Sequence, residues 1–281
     1  MENKLNCDRE FLADVHVHSE YSHDSVCPVA EIIRTSSQRC IDLVCITDHC
    51  DLYPNHDVKV LLEQRKQIVE GIAESVRGVT DVEILTGIEL GGGFIEPEIA
   101  RAVVQSQRFD VVLGSVHGIM FRGERMSTSK FDFGSVDEAT MLEYLDGYMD
   151  ATVYIAEKLD VDVLAHMTYI LRYVNGKYKR NVDWHILEEK IRRAFKAMIA
   201  RGIALEINTS CVGGAYDEWL PAREIVDLYI EMGGRLFVLG SDAHKAEKIA
   251  NGFEEVKAYL RQRGIRHLVY YKNRTPHQYS I

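Results

Sequence analysis

The feature that most constrains this 281-residue chain is the alternation of short apolar, β-branched runs with stretches of helical periodicity, which predicts parallel strands joined by crossover helices. Seven such runs occur: Phe11 to His18, Leu43 to His49, Glu83 to Leu90, Val111 to Gly118, Val163 to Met167, Ala204 to Ser210 and Phe237 to His244. Between the later runs the period becomes that of a helix, with stripes at Leu142, Leu145, Met149, Val153 and Ala156 and at Leu187, Ile191, Ala194 and Met198. Ile225, Leu228, Tyr229 and Met232 form a third stripe, and Ile249, Phe253, Val256 and Leu260 a fourth. Pro28 and Pro221 sit where a first helical turn tolerates proline, and Gly202 and Gly233-Gly234 where two helices would end. No Pro/Gly/Ser-rich linker or repeat divides residues 1–281, which read as one domain. Seven βα units predict an α/β fold, a distorted TIM-like (β/α)7 barrel, with an open doubly wound sheet as the alternative; both assemble sites at strand C-termini.

Composition narrows the classes of partner. With 46% hydrophobic and 27% charged residues the chain can bury a large core, and no apolar run reaches the roughly 18 to 20 residues that span a bilayer. A polar opening from Met1 to Glu10 makes the cytoplasm the expected location, away from membranes. Six cysteines (Cys7, Cys27, Cys40, Cys45, Cys50, Cys211) lack any CxxC spacing, so reduced thiols are expected in place of disulfides or a thiolate zinc site. A net charge of -10 disfavours nucleic acid as a partner, while a local basic patch can still hold one small anion.

Histidines and carboxylates recur at the C-terminal ends of the predicted strands. The first ends in Asp14-Val15-His16-Val17-His18, whose alternation points His16 and His18 to one face, and His23 follows in the loop. The next ends carry Asp48-His49, Glu89, His117 and His166, then Glu206-Ile207-Asn208, and last Asp242-Ala243-His244. A lone strand-end histidine is more often a hydrogen-bonded core residue than a ligand. Here seven of eleven histidines fall at such ends, and each needs partners for its ring nitrogens; metal binding meets that need. His56, His185, His267 and His277 lie in helices, loops or the tail and read as structural or solvent-facing.

This order of motifs, Asp-Val-His-Val-His, Thr-Asp-His, an isolated Glu89, Gly-Ser-Val-His, Ala-His and Ser-Asp-Ala-His, resembles the PHP (polymerase and histidinol phosphatase) superfamily from Asp14 to His244. The resemblance implies a trinuclear site: His16, His18, Glu89 and Asp242 on one metal, Glu89, His117 and His166 on a second, His23, His49 and His244 on a third. It also implies a distorted seven-stranded barrel. Leu205 to Ser210 and Leu239 to Lys245 look most like the stand-alone histidinol-phosphate phosphatases, which implies hydrolysis of that ester in histidine biosynthesis. Two departures touch the substrate loops: Cys211 to Asp217, where such enzymes commonly carry a basic residue, and Met167-Thr168 after the fifth-strand histidine. Nucleotides and phosphotyrosine therefore stay open as substrates.

Imidazole and carboxylate ligands suit two or three divalent Zn, Mn or Fe ions, which lower the pKa of water to about 7 and dispense with a Ser or Cys nucleophile. Asp14 and Asp48 adjoin the ligands, as hydrogen-bond acceptors or proton shuttles. The segment 167–182 carries Arg172, Lys177, Lys179 and Arg180 and no acidic residue, which suits a small phosphorylated substrate; Arg172, six residues past His166, is the candidate phosphate contact. The long segment 119–135 adds Arg122, Arg125 and Lys130 in a role left open. An amidohydrolase-type barrel is disfavoured because His117 stands where that family commonly places a modified lysine. A non-catalytic module is the remaining alternative.

Overall fold

In the computed structural model, which describes residues 10–281, parallel strands close into a distorted barrel wrapped by helices. Cys7 and the polar opening from residue 1 to 9 lie outside the described residues. The seven expected strands are all present, but the second and third are each broken in two. In order they are β1 (Ala13–Val17), β2 (Leu43–Ile46) with β3 (His49–Asp51), β4 (Glu83–Thr86) with β5 (Ile88–Gly91), β6 (Val112–Ser115), β9 (Val163–Leu164), β10 (Ala204–Asn208) and β11 (Phe237–Gly240). The lower pieces pair as β1-β2-β4 and the remainder as β11-β10-β9-β6-β5-β3. Backbone hydrogen bonds from Asp242 N to His16 O (2.8 Å) and from His18 N to Ala243 O (3.0 Å) join the last strand to the first. This closure excludes the open doubly wound sheet.

Two of the strand ends have local causes. The fifth and seventh strands stop short of the expected Met167 and His244 because His166 (φ 25°) and Asp242 (φ 53°) adopt left-handed backbone that a strand cannot continue through. Asp14, buried at the seam, accepts from the backbone N–H of Ser241 (3.0 Å) and Ala250 (2.8 Å) and so fastens β1 to the chain beyond β11. Desolvation pushes its carboxyl up to about 6.

The outer helices are α1 (Val29–Gln38), α2 (Val58–Ser75), α3 (Pro97–Ser106), α4 (Glu138–Lys158), α6 (Glu188–Arg201), α7 (Arg223–Glu231) and α8 (Phe253–Gln262), with one short turn, α5 (Tyr169–Leu171), between β9 and α6. Their starts are set by side-chain caps where the chain offers them: Asp57 accepts from Lys59 N (2.9 Å) and Asp137 from Thr140 N (2.8 Å). Gly202 ends α6 in the left-handed conformation (φ 71°). Pro28 stands just ahead of α1, and Pro221 two residues ahead of α7. Of the predicted stripes, Leu142 faces outward and Ile249 falls before α8; the other members pack inward or lie partly buried.

Two antiparallel hairpins add to the seven predicted strands. The first, β7 (Gly118–Phe121) and β8 (Glu124–Ser127), fills part of the segment 119–135. The second, β12 (His267–Lys272) and β13 (Thr275–Ser280), places His267 and His277 on paired strands, with His277 stacked on Tyr270. Leu268, Val269, Tyr271 and Tyr279 of this hairpin join the main core. Its turn grips the N-terminal end of the barrel: Arg274 bonds the carboxylates of Asp162 and Asp160, and Arg274 N donates to Asp110 O (2.9 Å). Asp162 also accepts from Val112 N (2.8 Å), so the turn is tied to two strand starts. Arg274→Ala is expected to lower unfolding free energy by about 1 to 3 kcal/mol, since it leaves the largely buried Asp162 without its cation. Urea denaturation checks this; an unchanged midpoint would mean the hairpin turn is not an anchor.

Candidate metal centre

Glu89 stands at the centre of the barrel mouth, fully buried, as the Cα partner of His49 in the β3–β5 register. Its Oε1 lies 2.7 Å from His166 Nε2 and 2.9 Å from His117 Nε2; its Oε2 lies 2.7 Å from His49 Nδ1, 3.5 Å from His16 Nε2 and 3.6 Å from His18 Nε2. Five imidazoles thus face one carboxylate. Asp242 Oδ1 approaches His18 Nε2 at 3.1 Å, and the two Nε2 atoms of His16 and His18 lie 3.1 Å apart.

Acceptors behind the rings decide which nitrogen faces inward. His16 Nδ1 donates to Glu206 Oε1 (2.6 Å), His117 Nδ1 to Asp51 Oδ1 (2.9 Å), His244 Nδ1 to Asp242 O (2.9 Å) and His18 Nδ1 to Ser22 Oγ (3.0 Å). Ser22 in turn donates to Asp48 Oδ1 (2.7 Å), whose other oxygen accepts from Ser19 Oγ (2.6 Å). With Nδ1–H engaged outward, each Nε2 presents a lone pair to the centre, the arrangement that prepares a histidine to bind a cation. Two glycines make this possible by close approach: a Cβ on Gly240 would overlap the Glu206 carboxylate, and one on Gly91 the Asp51 carboxylate.

Lone pairs that converge on carboxylate oxygens repel unless a proton or a cation lies between them. In the protein alone protons must do this. Burial opposes charge on His16, His49 and His117, yet the facing carboxylates outweigh it: His49 rises to about 10, and His16 and His117 also rise well above the ordinary histidine value. Burial likewise opposes ionisation of Glu89, but the charges of His117, His49 and His16 hold it well below the usual carboxylate range. His18 goes the other way, to about 4, because burial and the charges of His49 and His16 exceed the help from Asp242. One site therefore holds histidines that compete for protons. His49 Nδ1, Glu89 Oε2 and His166 Nδ1 are buried without a well-aligned hydrogen bond. Divalent cations fit this donor set: they satisfy several lone pairs at once with no proton to share.

All nine sequence-predicted ligands fall in groups whose donor atoms lie within 4.8 Å of one another: His16, His18 and Asp242; His16, Glu89 and His166; His49, Glu89 and His117; His18, His49 and His244; His23, Asp24 and His49. The grouping differs from the one the family pattern implies. His49 bridges toward Glu89 as well as toward His23, and Asp24 enters between His49 Nε2 (3.4 Å) and His244 Nε2 (3.2 Å). Asp24, Asp51 and Glu206 join the nine; in the sequence Asp24 and Asp51 show only as neighbours of His23 and His49, and Glu206 as a strand-end carboxylate. Asp14 and Asp48 accept backbone and serine hydrogen bonds. Left-handed backbone at His166 and Asp242 costs on the order of 1 to 3 kcal/mol each and aims two of the central side chains.

Above the cluster opens a cleft of about 660 Å³ lined by His23, His49, His117, Asp242 and His244 together with Tyr169 and Arg172. Arg172 begins a π-helical turn (Arg172–Lys177) and forms no ion pair among the described residues, although it is only partly exposed. The other basic residues of the same segment are engaged elsewhere. Lys179 donates to Ala215 O (2.9 Å), Arg180 to Phe133 O (2.7 Å), and Lys177 lies over the Tyr178 ring. Cys27, Cys45, Cys50 and Cys211 are free thiols, and no described helix is long and apolar enough to cross a membrane.

Among curated proteins the chain is 28% identical to a probable histidinol-phosphatase of Thermotoga maritima over 89% of this chain and 92% of that protein. It is 27% identical to a probable histidinol-phosphatase of Clostridium acetobutylicum over 86% and 89%. Among solved structures, histidinol phosphate phosphatase of Lactococcus lactis, complexed with zinc, L-histidinol and phosphate, superposes with a TM-score of 0.76 at 20% identity, covering 95% of this chain and 98% of that one. The putative histidinol phosphatase of Listeria monocytogenes gives 0.67 at 17% identity over 86% and 99%. The PHP domain model matches residues 14–210, well over half of the chain and the stretch that carries His16 through Glu206, so this protein belongs to the PHP family.

Proposed function

We propose that the protein is a metal-dependent phosphomonoesterase that hydrolyses L-histidinol phosphate to histidinol and phosphate. The observation that carries this reading is the ring of inward lone pairs around Glu89 beneath a cleft lined by Arg172, which forms no ion pair among the described residues. The probable histidinol-phosphatases in Thermotoga and Clostridium, and the zinc, histidinol and phosphate in the Lactococcus structure, support the choice of metal chemistry and of ester. Two or three Zn, Mn or Fe ions would be held by His16, His18, Glu89 and Asp242, by Glu89, His117, His166 and His49, and by His23, His244 and Asp24 with His49. When bound, such ions supply water with a pKa near 7 and positive charge opposite the phosphoryl oxygens.

The chain's own groups do the rest. Glu206, Asp51 and Ser22 hold His16, His117 and His18 in the tautomer that keeps each Nε2 basic toward the centre. Arg172 supplies a partly buried guanidinium on one wall of the cleft, matched to a phosphate by its forked donors. Tyr169, packed edge-on against His117 and donating to or accepting from Tyr173 (2.6 Å between hydroxyls), narrows the cleft over the cluster.

Elemental analysis of the purified protein should find two or three transition-metal ions per chain, and chelation should abolish phosphate release. Metal-free protein with full activity in chelator would refute the metal reading. Across a panel of esters, histidinol phosphate should be cleaved faster than an aryl phosphate and a nucleoside monophosphate; equal rates would remove it as the substrate. Arg172→Ala should lower kcat/KM for phosphomonoesters by roughly one to two orders of magnitude, the worth of a charged hydrogen bond, with metal content unchanged. Wild-type kcat/KM on every ester would exclude Arg172 as the phosphate contact.

A further inference from the structure

Resting on the phosphatase reading, we infer that the β7–β8 face of the cleft is a second anion site, which extends the substrate range to phosphomonoesters whose alcohol carries another anionic group. The charge pattern of the molecule leads there. Arginines elsewhere on the surface are mostly matched: Arg122 with Glu143, Arg193 with Glu157, Arg263 with Asp227 and Arg223 with Glu218 and Glu255. Arg125, Lys130, Arg172, Lys245 and Lys248 line the cleft, and among the described residues none of them forms an ion pair. Their five positive charges exceed the charge of about -2 on one phosphate monoester.

Arg125 is the most constrained of the five. It sits on β8 opposite Met120, and its guanidinium lies 3.7 Å from the centroid of the Tyr53 ring, a cation–π contact that holds it in place across two loops. Its Nε is buried and has no hydrogen-bond acceptor. Tyr53 follows β3 by two residues, and β7 begins directly after His117, so this pair forms the wall beyond the Asp51–His117 contact; Arg172 reaches the cleft from the separate segment after β9. A buried guanidinium donor that lacks an acceptor is costly unless an anion completes it. The acids that line the cleft are already engaged: Asp24 with His49 and His244, Asp51 with His117, Asp242 with His18. An anionic ligand in the cleft can supply the acceptor.

The reaction remains hydrolysis. Water oxygen bonds to phosphorus, the ester P–O bond breaks, and the alcohol leaves with a proton from that water, its second anionic group still seated on Arg125. Carboxylate and phosphate share the needed chemistry. Two matched pairs separate them: phosphoserine against phosphoethanolamine for a carboxylate, and fructose bisphosphate against fructose monophosphate for a phosphate.

The metal-loaded protein should prefer the doubly anionic member of at least one pair in kcat/KM by roughly tenfold or more, and Arg125→Ala should bring that ratio to about one, chiefly through KM. Arg125→Lys, which keeps the charge, should restore part of the ratio and guards against misfolding of the alanine variant. Histidinol phosphate is run beside them. A flat ratio in wild type, or a ratio unaltered in Arg125→Ala, overturns the second anion site while histidinol phosphate turnover leaves the phosphatase reading standing. No turnover of any ester overturns both.

Discussion

Everything at the mouth of this barrel depends on one unfavourable act, the burial of the Glu89 carboxylate among five imidazoles. A buried carboxylate requires positive charge, and buried imidazoles require either protons or a cation. Protons can serve only some of these rings at once, as the opposite displacements of His18 and His49 make plain. Cations relieve all of them together. The barrel can tolerate the cluster because the outward Nδ1 atoms of His16, His18, His117 and His244 are tied to fixed acceptors, one of them the fully buried carboxylate of Glu206. For these four rings the protein's own acceptors set tautomer and orientation.

The same demand explains irregularities that a plain barrel would avoid. His166 and Asp242 leave the strand conformation to turn their side chains inward, and the second and third strands break next to His49 and Glu89. Glu206 spans from His16 on the first strand to the His166 backbone N–H (2.6 Å), so that one side chain couples β1 to the residue two places beyond β9. Strain at a site of this kind persists because the surrounding hydrogen bonds over-determine it. At the far end, the Arg274 clamp and the buried face of the C-terminal hairpin close the barrel without touching the chemistry.

Much of this was legible in the sequence. Strand runs announce themselves by β-branched apolar residues, and a histidine or acid at each strand end must face the mouth once the strands are parallel; the period of two in Asp14 to His18 fixes His16 and His18 to one side. Seven strands, the helices after residue 138 and the convergence of the histidines follow from that logic. The outward partners were harder. Glu206 lies 190 residues from His16, and Asp51 lies 66 from His117, so their pairing depends on register between strands that the chain does not encode locally. Asp24 hides in a loop beside His23. The hairpin β7–β8 was hidden by its place inside a long loop, and β12–β13 by polar residues on its exposed face, both of which blunt the alternation that reveals strands.

The central claim is that Glu89 is shared between cations held by inward-facing histidines. Anomalous diffraction from crystals of the protein as purified, recorded at the zinc, iron and manganese edges, tests it most directly. The account predicts at least two anomalous peaks, one within ligand distance of each Glu89 oxygen, about 2.0 to 2.2 Å, with His16 and His18 on one and His117 and His166 on the other. Well-ordered density for Glu89 with no anomalous scatterer beside either oxygen, in crystals of enzyme that releases phosphate, would contradict it.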